Sequence, residues 1–144
     1  MGSIVSATTR ATYGATASLS RRDQFLASAE TLIAAAHDEI EAGQFDLALE
    51  NAYRGALRVA GAANADSPDL RKRKRHPSSA WEKLALTGDD GKRWAARFQT
   101  YSRTRGRVAS GIDTAPDPKL VLRLLADVEE FYRDVHPVDL PLVA

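Results

Sequence analysis

Apolar residues recur at helical spacing along most of the chain, and nowhere with the strict alternation of a half-buried strand. Leu26, Ala29, Ile33, Ala36 and Ile40 fall on one stripe of a helix. Gly43 ends that stretch, because glycine readily takes the left-handed conformation that closes many helices. Phe45, Ala48, Leu49, Ala52, Tyr53, Ala56, Val59, Ala60 and Ala63 then form a wider apolar face, so Ser28 to Asn64 reads as a helical hairpin around which the rest of the chain is organised. Gly55, beside Ala48, Ala52 and Ala56, lets another helix approach closely. Asp46, Glu50, Arg54 and Arg58 occupy the opposite face of the second arm, acidic first and basic last. That order suits the helix dipole and i,i+4 pairing and marks a solvated side.

The same pattern predicts the other elements. Ser20-Arg21-Arg22-Asp23 has capping-box spacing and starts the first helix; Ser79-Ala80-Trp81-Glu82 repeats it before a short helix carrying Trp81, Leu84 and Ala85. Asp89 or Asp90 is expected to cap the next helix, in which Trp94, Phe98, Tyr101, Arg105 and Val108 share a stripe. Asp117 followed by Pro118 marks the start of the last helix; Leu120, Val121, Leu124, Val128, Phe131 and Val135 form its buried stripe until Pro137 ends it. The predicted fold is all-α, an antiparallel up-and-down bundle of four long helices plus one short helix. Its expected extent is 20–137, between a flexible N-terminal tail, 1–19, rich in Ser, Thr, Ala and Gly, and a C-terminal tail, 138–144. The opening Met1-Gly2-Ser3-Ile4-Val5-Ser6 fits the short N-myristoylation pattern, and the acid-free start weakly resembles a transit peptide; a plain tail is the reading adopted.

Composition narrows the chemistry. A length of 144 residues suits one domain, and 44% hydrophobic with 27% charged residues is ordinary for a globular protein. No apolar run is long enough to span a bilayer, so no membrane partner is expected. The absence of cysteine excludes disulfides, thiolate catalysis and Cys-ligated metal, which fits a cytoplasmic location. No Walker-type or dinucleotide-binding glycine loop occurs, and His37 and His136 read as surface and helix-end residues with no third ligand at useful spacing; neither a cofactor nor a metal is expected.

The net charge of +1 hides strong segregation. Arg71, Lys72, Arg73, Lys74 and Arg75 are five adjacent cations followed by His76. Such a run is either a solvated connector or a partner for a phosphate backbone, whose counterions it would release. Arg103, Arg105 and Arg107 on the third long helix complete the candidate nucleic-acid-binding set. Asp127, Glu129, Glu130 and Asp134 on the final helix can pair with the arginines before them and neutralise part of that surface.

The stretch Ala42-Gly43-Gln44-Phe45-Asp46-Leu47-Ala48-Leu49-Glu50-Asn51-Ala52-Tyr53-Arg54-Gly55-Ala56-Leu57-Arg58 resembles the helix-turn-helix core of HEPN domains. The nearest likeness is to the small actinobacterial SAV_6107-like proteins, in Tyr53-Arg54-Gly55-Ala56-Leu57-Arg58, the basic linker and Ser79-Ala80-Trp81, with the resemblance running from Ser20 to His136. It implies a small helical bundle and a homodimer. A subset of HEPN proteins are metal-independent ribonucleases with an Arg four to six residues before a His, and by that resemblance Arg71 and His76 fit as catalytic residues. The imidazole would move the 2′-hydroxyl proton while the guanidinium held the developing phosphate charge. Against this, an Arg at that spacing is nearly automatic within five cations, Lys72 stands where a small polar residue often follows, and Arg103 to Gly111, the region corresponding to the usual motif, has no histidine. The leading expectation is a non-catalytic HEPN-like protein that binds RNA, a nucleotide or a protein partner; the alternative is a metal-independent ribonuclease using Arg71 and His76 across a dimer interface.

Overall fold

The computed structural model of the chain describes residues 19–137. The two predicted tails, with the N-myristoylation pattern, lie outside the described residues apart from Leu19. The described residues are all-helical: α1 (Arg21–Glu41), α2 (Phe45–Ala65), α3 (Pro68–Arg71), α4 (Ala80–Ala85), α5 (Asp89–Ala109) and α6 (Pro118–Val135).

Local chemistry sets most boundaries. Ser20 Oγ accepts the Asp23 N–H at 3.0 Å, Ser79 Oγ accepts from Trp81 and Glu82, and Asp117 accepts from Lys119 with Pro118 in the first turn. At the hairpin turn Gly43 sits at φ +75°, its N–H donates to the Ile40 carbonyl and the Gln44 N–H donates to that of Glu39. This Schellman closure satisfies carbonyls that the helix end would otherwise leave orphaned. One predicted cap is corrected. Gly88, not Asp89 or Asp90, precedes α5, because the chain turns there at φ +138°, a conformation that L side chains rarely adopt. Both aspartates lie instead in the first turn, where their charge meets the positive end of the helix, and Asp90 pairs with Arg93. Also unforeseen is α3, a single turn in which Ser67 Oγ caps the Leu70 N–H at 3.2 Å.

α2 is the shared partner: it meets α1, α4, α5 and α6. Its small residues make this possible, since Ala48, Ala52, Ala56 and Ala60 are completely buried. A Cβ at Gly55 would lie 3.5 Å from Ile33 and 3.7 Å from Val128, so α1 and α6 both come close to the same turn. Rings from the other elements fill the space this narrow face leaves. Phe98 stacks on Trp81 at 5.2 Å and meets Phe131 at 5.2 Å, while Trp94 meets Phe131 at 5.0 Å. Fully burying an aromatic or Leu side chain contributes about 1.5–3 kcal/mol, and the interlocked rings add to it.

Polar contacts register the helices. Glu30 to Tyr132 and His37 to Glu129 join α1 to α6, with sequence numbers running in opposite senses; Glu50 to Arg105 and Tyr53 to Ser102 do the same for α2 and α5. The expected acid-to-base pairing of the last two long helices is present: Asp127 accepts from Arg97 at 3.3 Å and from the Tyr101 hydroxyl at 2.8 Å, and Asp134 accepts from the Trp94 indole at 3.0 Å. Tyr101 thus belongs to the core with one polar tether, alongside Trp94 and Phe98.

Candidate functional site

The basic linker leaves α2 through a tightly held corner. Ser67 is buried where it caps α3, Pro68 opens that turn, and Leu70 plugs into the body at 4% exposure. Arg71 closes α3 on the exposed side, and residues 72–79 form no helix. His76 folds its ring back onto the linker, where Nε2 lies 3.1 Å from the Arg73 carbonyl. A carbonyl only accepts, so in this contact Nε2 carries the proton and donates. The far end is pinned by Asn64, whose Nδ2 donates to the Ala80 carbonyl at 3.3 Å, and by the Ser79 cap of α4.

These constraints fold the linker over a groove of about 500 Å³ between the start of α1, the end of α2, α3 and α4. Its apolar floor comes from Phe25, Leu57 and Leu70, and its rim from Arg21, Arg71, His76 and Lys83. No carboxylate lines it. Arg21 sits 5.7 Å from the centroid of the Phe25 ring, and that ring packs closely against α2 because position 61 is glycine: an added Cβ would meet it at 2.6–2.9 Å. Clefts of this size with an apolar base and a few convergent polar groups are where small ligands and extruded bases bind. A phosphate at the rim and a flat ring against Phe25 are the complementary shapes.

The predicted site residues divide into separate groups. Arg71 and His76 share the groove; Lys72, Arg73, Lys74 and Arg75 are exposed on the linker beside it and do not line it. Arg103, Arg105 and Arg107 belong elsewhere. Arg105 grips Glu50 through two 2.8 Å bonds, so about 21 Å of α2 separates that contact from Asn64 at 1.5 Å per residue. The paired guanidinium also lies over the Tyr53 ring at 5.4 Å, and its hydrogen bonds hold the Glu50 carboxyl below the usual range. Glu50, expected on a solvated face, is therefore half-buried. Arg107 makes a similar two-bond contact to Asp113, whose carboxyl is lowered for the same reason, while Arg103 is exposed. The linker cations and the arginines of the third long helix therefore form two separate patches, with carboxylates holding Arg105 and Arg107.

Arg21, Phe25, Asn64 and Lys83 were absent from the predicted set. Their sequence signals were present but faint: an Arg four residues before a Phe puts a cation beside a ring, and Gly61 interrupts an alanine stripe. Of the other histidines, His37 pairs with Glu129 at 2.9 Å and His136 closes α6. Among the described residues, no group of three His, Asp or Glu is placed to hold a metal ion.

Comparison with curated proteins and with solved structures found no match. The sequence model of the SAV_6107-like HEPN family, in contrast, matches residues 40–136, which takes in α2 to α6 and the whole linker. Since that span is well over half of the chain and holds the helical core from which the groove is built, the chain belongs to the SAV_6107-like HEPN family.

Proposed function

We propose that this HEPN-family chain is an up-and-down helical bundle that binds single-stranded RNA without cutting it, through the groove beneath the linker. The observation that carries the reading is the groove's lining: Arg21, Arg71, His76 and Lys83 around Phe25, with no carboxylate among the lining residues. Cations of this kind contact phosphates, and an aromatic ring stacks any base, so the binding is nearly indifferent to sequence. The exposed Lys72 to Arg75 add long-range attraction.

The ribonuclease reading has one observation in its favour, that Arg71 and His76 share this groove. Cleavage by a 2′-hydroxyl removes one proton and delivers another, a task for two acid–base groups. His76 is the single imidazole in the lining, and its spacing from Arg71 arises almost automatically within a run of five cations, so the pair carries little weight. The non-catalytic reading is therefore preferred.

Fluorescence anisotropy of a short labelled RNA, titrated from low to physiological salt, tests it. Binding is expected to weaken steeply with salt, the slope shrinking by about 0.7 for each phosphate contact removed in Arg71→Ala and Lys83→Ala. Arg103→Ala should leave it unchanged. No binding at low salt would overturn the reading and leave a protein partner in its place; RNA cleavage lost specifically in His76→Ala would make this an enzyme.

A further inference from the structure

Ser78 is an exposed residue of the linker that lines the same groove as Arg71, His76 and Lys83. Its neighbour Ser79 is committed, with its hydroxyl accepting the Trp81 N–H at 3.2 Å and the Glu82 N–H at 3.4 Å as the cap of α4. Ser78 takes no part in that cap and stands in a stretch without helix, where a second protein can read the chain as a peptide. Arg75 lies three residues before it and Arg73 five before, both exposed. A kinase with acidic subsites for its substrate peptide selects serines by such upstream arginines.

We propose that Ser78 is a phosphorylation site, written by an arginine-directed kinase, and that its phosphate occupies the groove in place of an RNA phosphate. The transfer balances simply: the bond from the γ-phosphorus of ATP to the β,γ-bridging oxygen breaks and ADP leaves, the Ser78 Oγ–P bond forms, and the hydroxyl proton passes to the kinase's base. The added dianion then faces cations with no carboxylate in the lining to repel it. Its strongest partners are Arg71, by a two-pronged contact, and Lys83, as a point charge. The modification thereby becomes an internal competitor for the ligand. This step rests on the RNA-binding reading for its consequence, though not for the pairing of the phosphate.

Three measurements on the full chain decide the proposal. Incubation with ATP and the catalytic subunit of cyclic-AMP-dependent kinase should add one phosphate, mapped to Ser78 by fragment mass and absent in Ser78→Ala; none, or one at Ser79, overturns the site. With phosphoserine installed at position 78 during translation, phosphorus NMR should show its second ionisation below the ordinary value of about 6, returning toward it in Arg71→Gln/Lys83→Gln. An ordinary value in the otherwise unaltered chain overturns the pairing, whether or not RNA binds. Anisotropy with the labelled RNA should then give affinity weakened by about tenfold or more in the phosphorylated protein. If unmodified protein fails to bind, the RNA reading fails alone; if it binds and the phosphorylated form binds equally, the competition proposed here is wrong.

Discussion

Two neighbouring helices are separated at Gly91 by less than the width of a methyl group. A Cβ there would fall far inside contact distance of the Leu84 carbonyl and the Thr87 hydroxyl, one of which is backbone and cannot turn aside. Gly91→Ala is expected to cost at least the 1–3 kcal/mol, roughly, of an overpacked core, and Ala52→Leu about the same, since Ala52 is completely buried beneath α2's neighbours. Gly55→Ala is the contrast: its new methyl meets ordinary contacts at 3.5–3.7 Å, and the helix gains up to about 1 kcal/mol of propensity. Urea denaturation of the three variants checks the order. A titration follows from Tyr101, whose hydroxyl is pushed up from 10.0 to about 12, first by burial and then by its bond to Asp127. The folded state holds that proton more tightly than the unfolded state does. The stability it confers is full below pH 10 and is lost as pH rises toward 12. Glu50 works at the other limit: its lowered pKa gives stability present above the ordinary 4.5 and lost as pH falls through the folded value. Melting temperature against pH should show both losses, the alkaline one reduced in Tyr101→Phe and the acid one reduced in Glu50→Gln.

Three elements, α2, α4 and α5, are joined at the Tyr53 hydroxyl. Tyr53 accepts the Trp81 indole N–H at 2.8 Å and shares a 2.6 Å hydrogen bond with Ser102. Tyr53→Phe keeps the ring and strands both partners, an expected loss of about 1–3 kcal/mol by urea denaturation. Nothing local announces this junction, since its members lie 28 and 49 residues apart. Caps, by contrast, are settled within one turn, which is why Ser20, Ser79 and Asp117 were readable from sequence, as was the Gly43 closure. Residues 68–71 escaped prediction because one turn of helix has too few residues to show a period; its support is the Ser67 cap and the buried Leu70. The α5 boundary was missed by a residue because the need for positive φ at Gly88 outweighed the capping preference of Asp.

Among the described residues, two cationic groups stand apart: the groove at one end of α2 and the carboxylate-paired Arg105 and Arg107 at the other. Sequence showed the cations but not their partners: that Glu50 would claim Arg105, and that Arg21 and Lys83 would join Arg71, depends on which helices lie side by side. Self-association, expected from the family likeness, is proposed for the end where Leu47, Ile112 and Leu122 are 47%, 63% and 50% exposed. Light scattering at micromolar concentration should give about twice 15.7 kDa, reduced to the single-chain mass in Leu122→Glu; a single-chain mass for the unaltered protein would refute it. The family match begins at residue 40, whereas Arg21 and Phe25 stand on the first turns of α1, ahead of it. Arg71, His76 and Lys83 of the groove lie within the matched span, and Phe25, its aromatic ring, lies on a helix that begins ahead of it. On the RNA-binding reading proposed above, rewriting two turns of that helix changes the ring and one rim cation, Arg21, while Arg71, His76 and Lys83 stay in place.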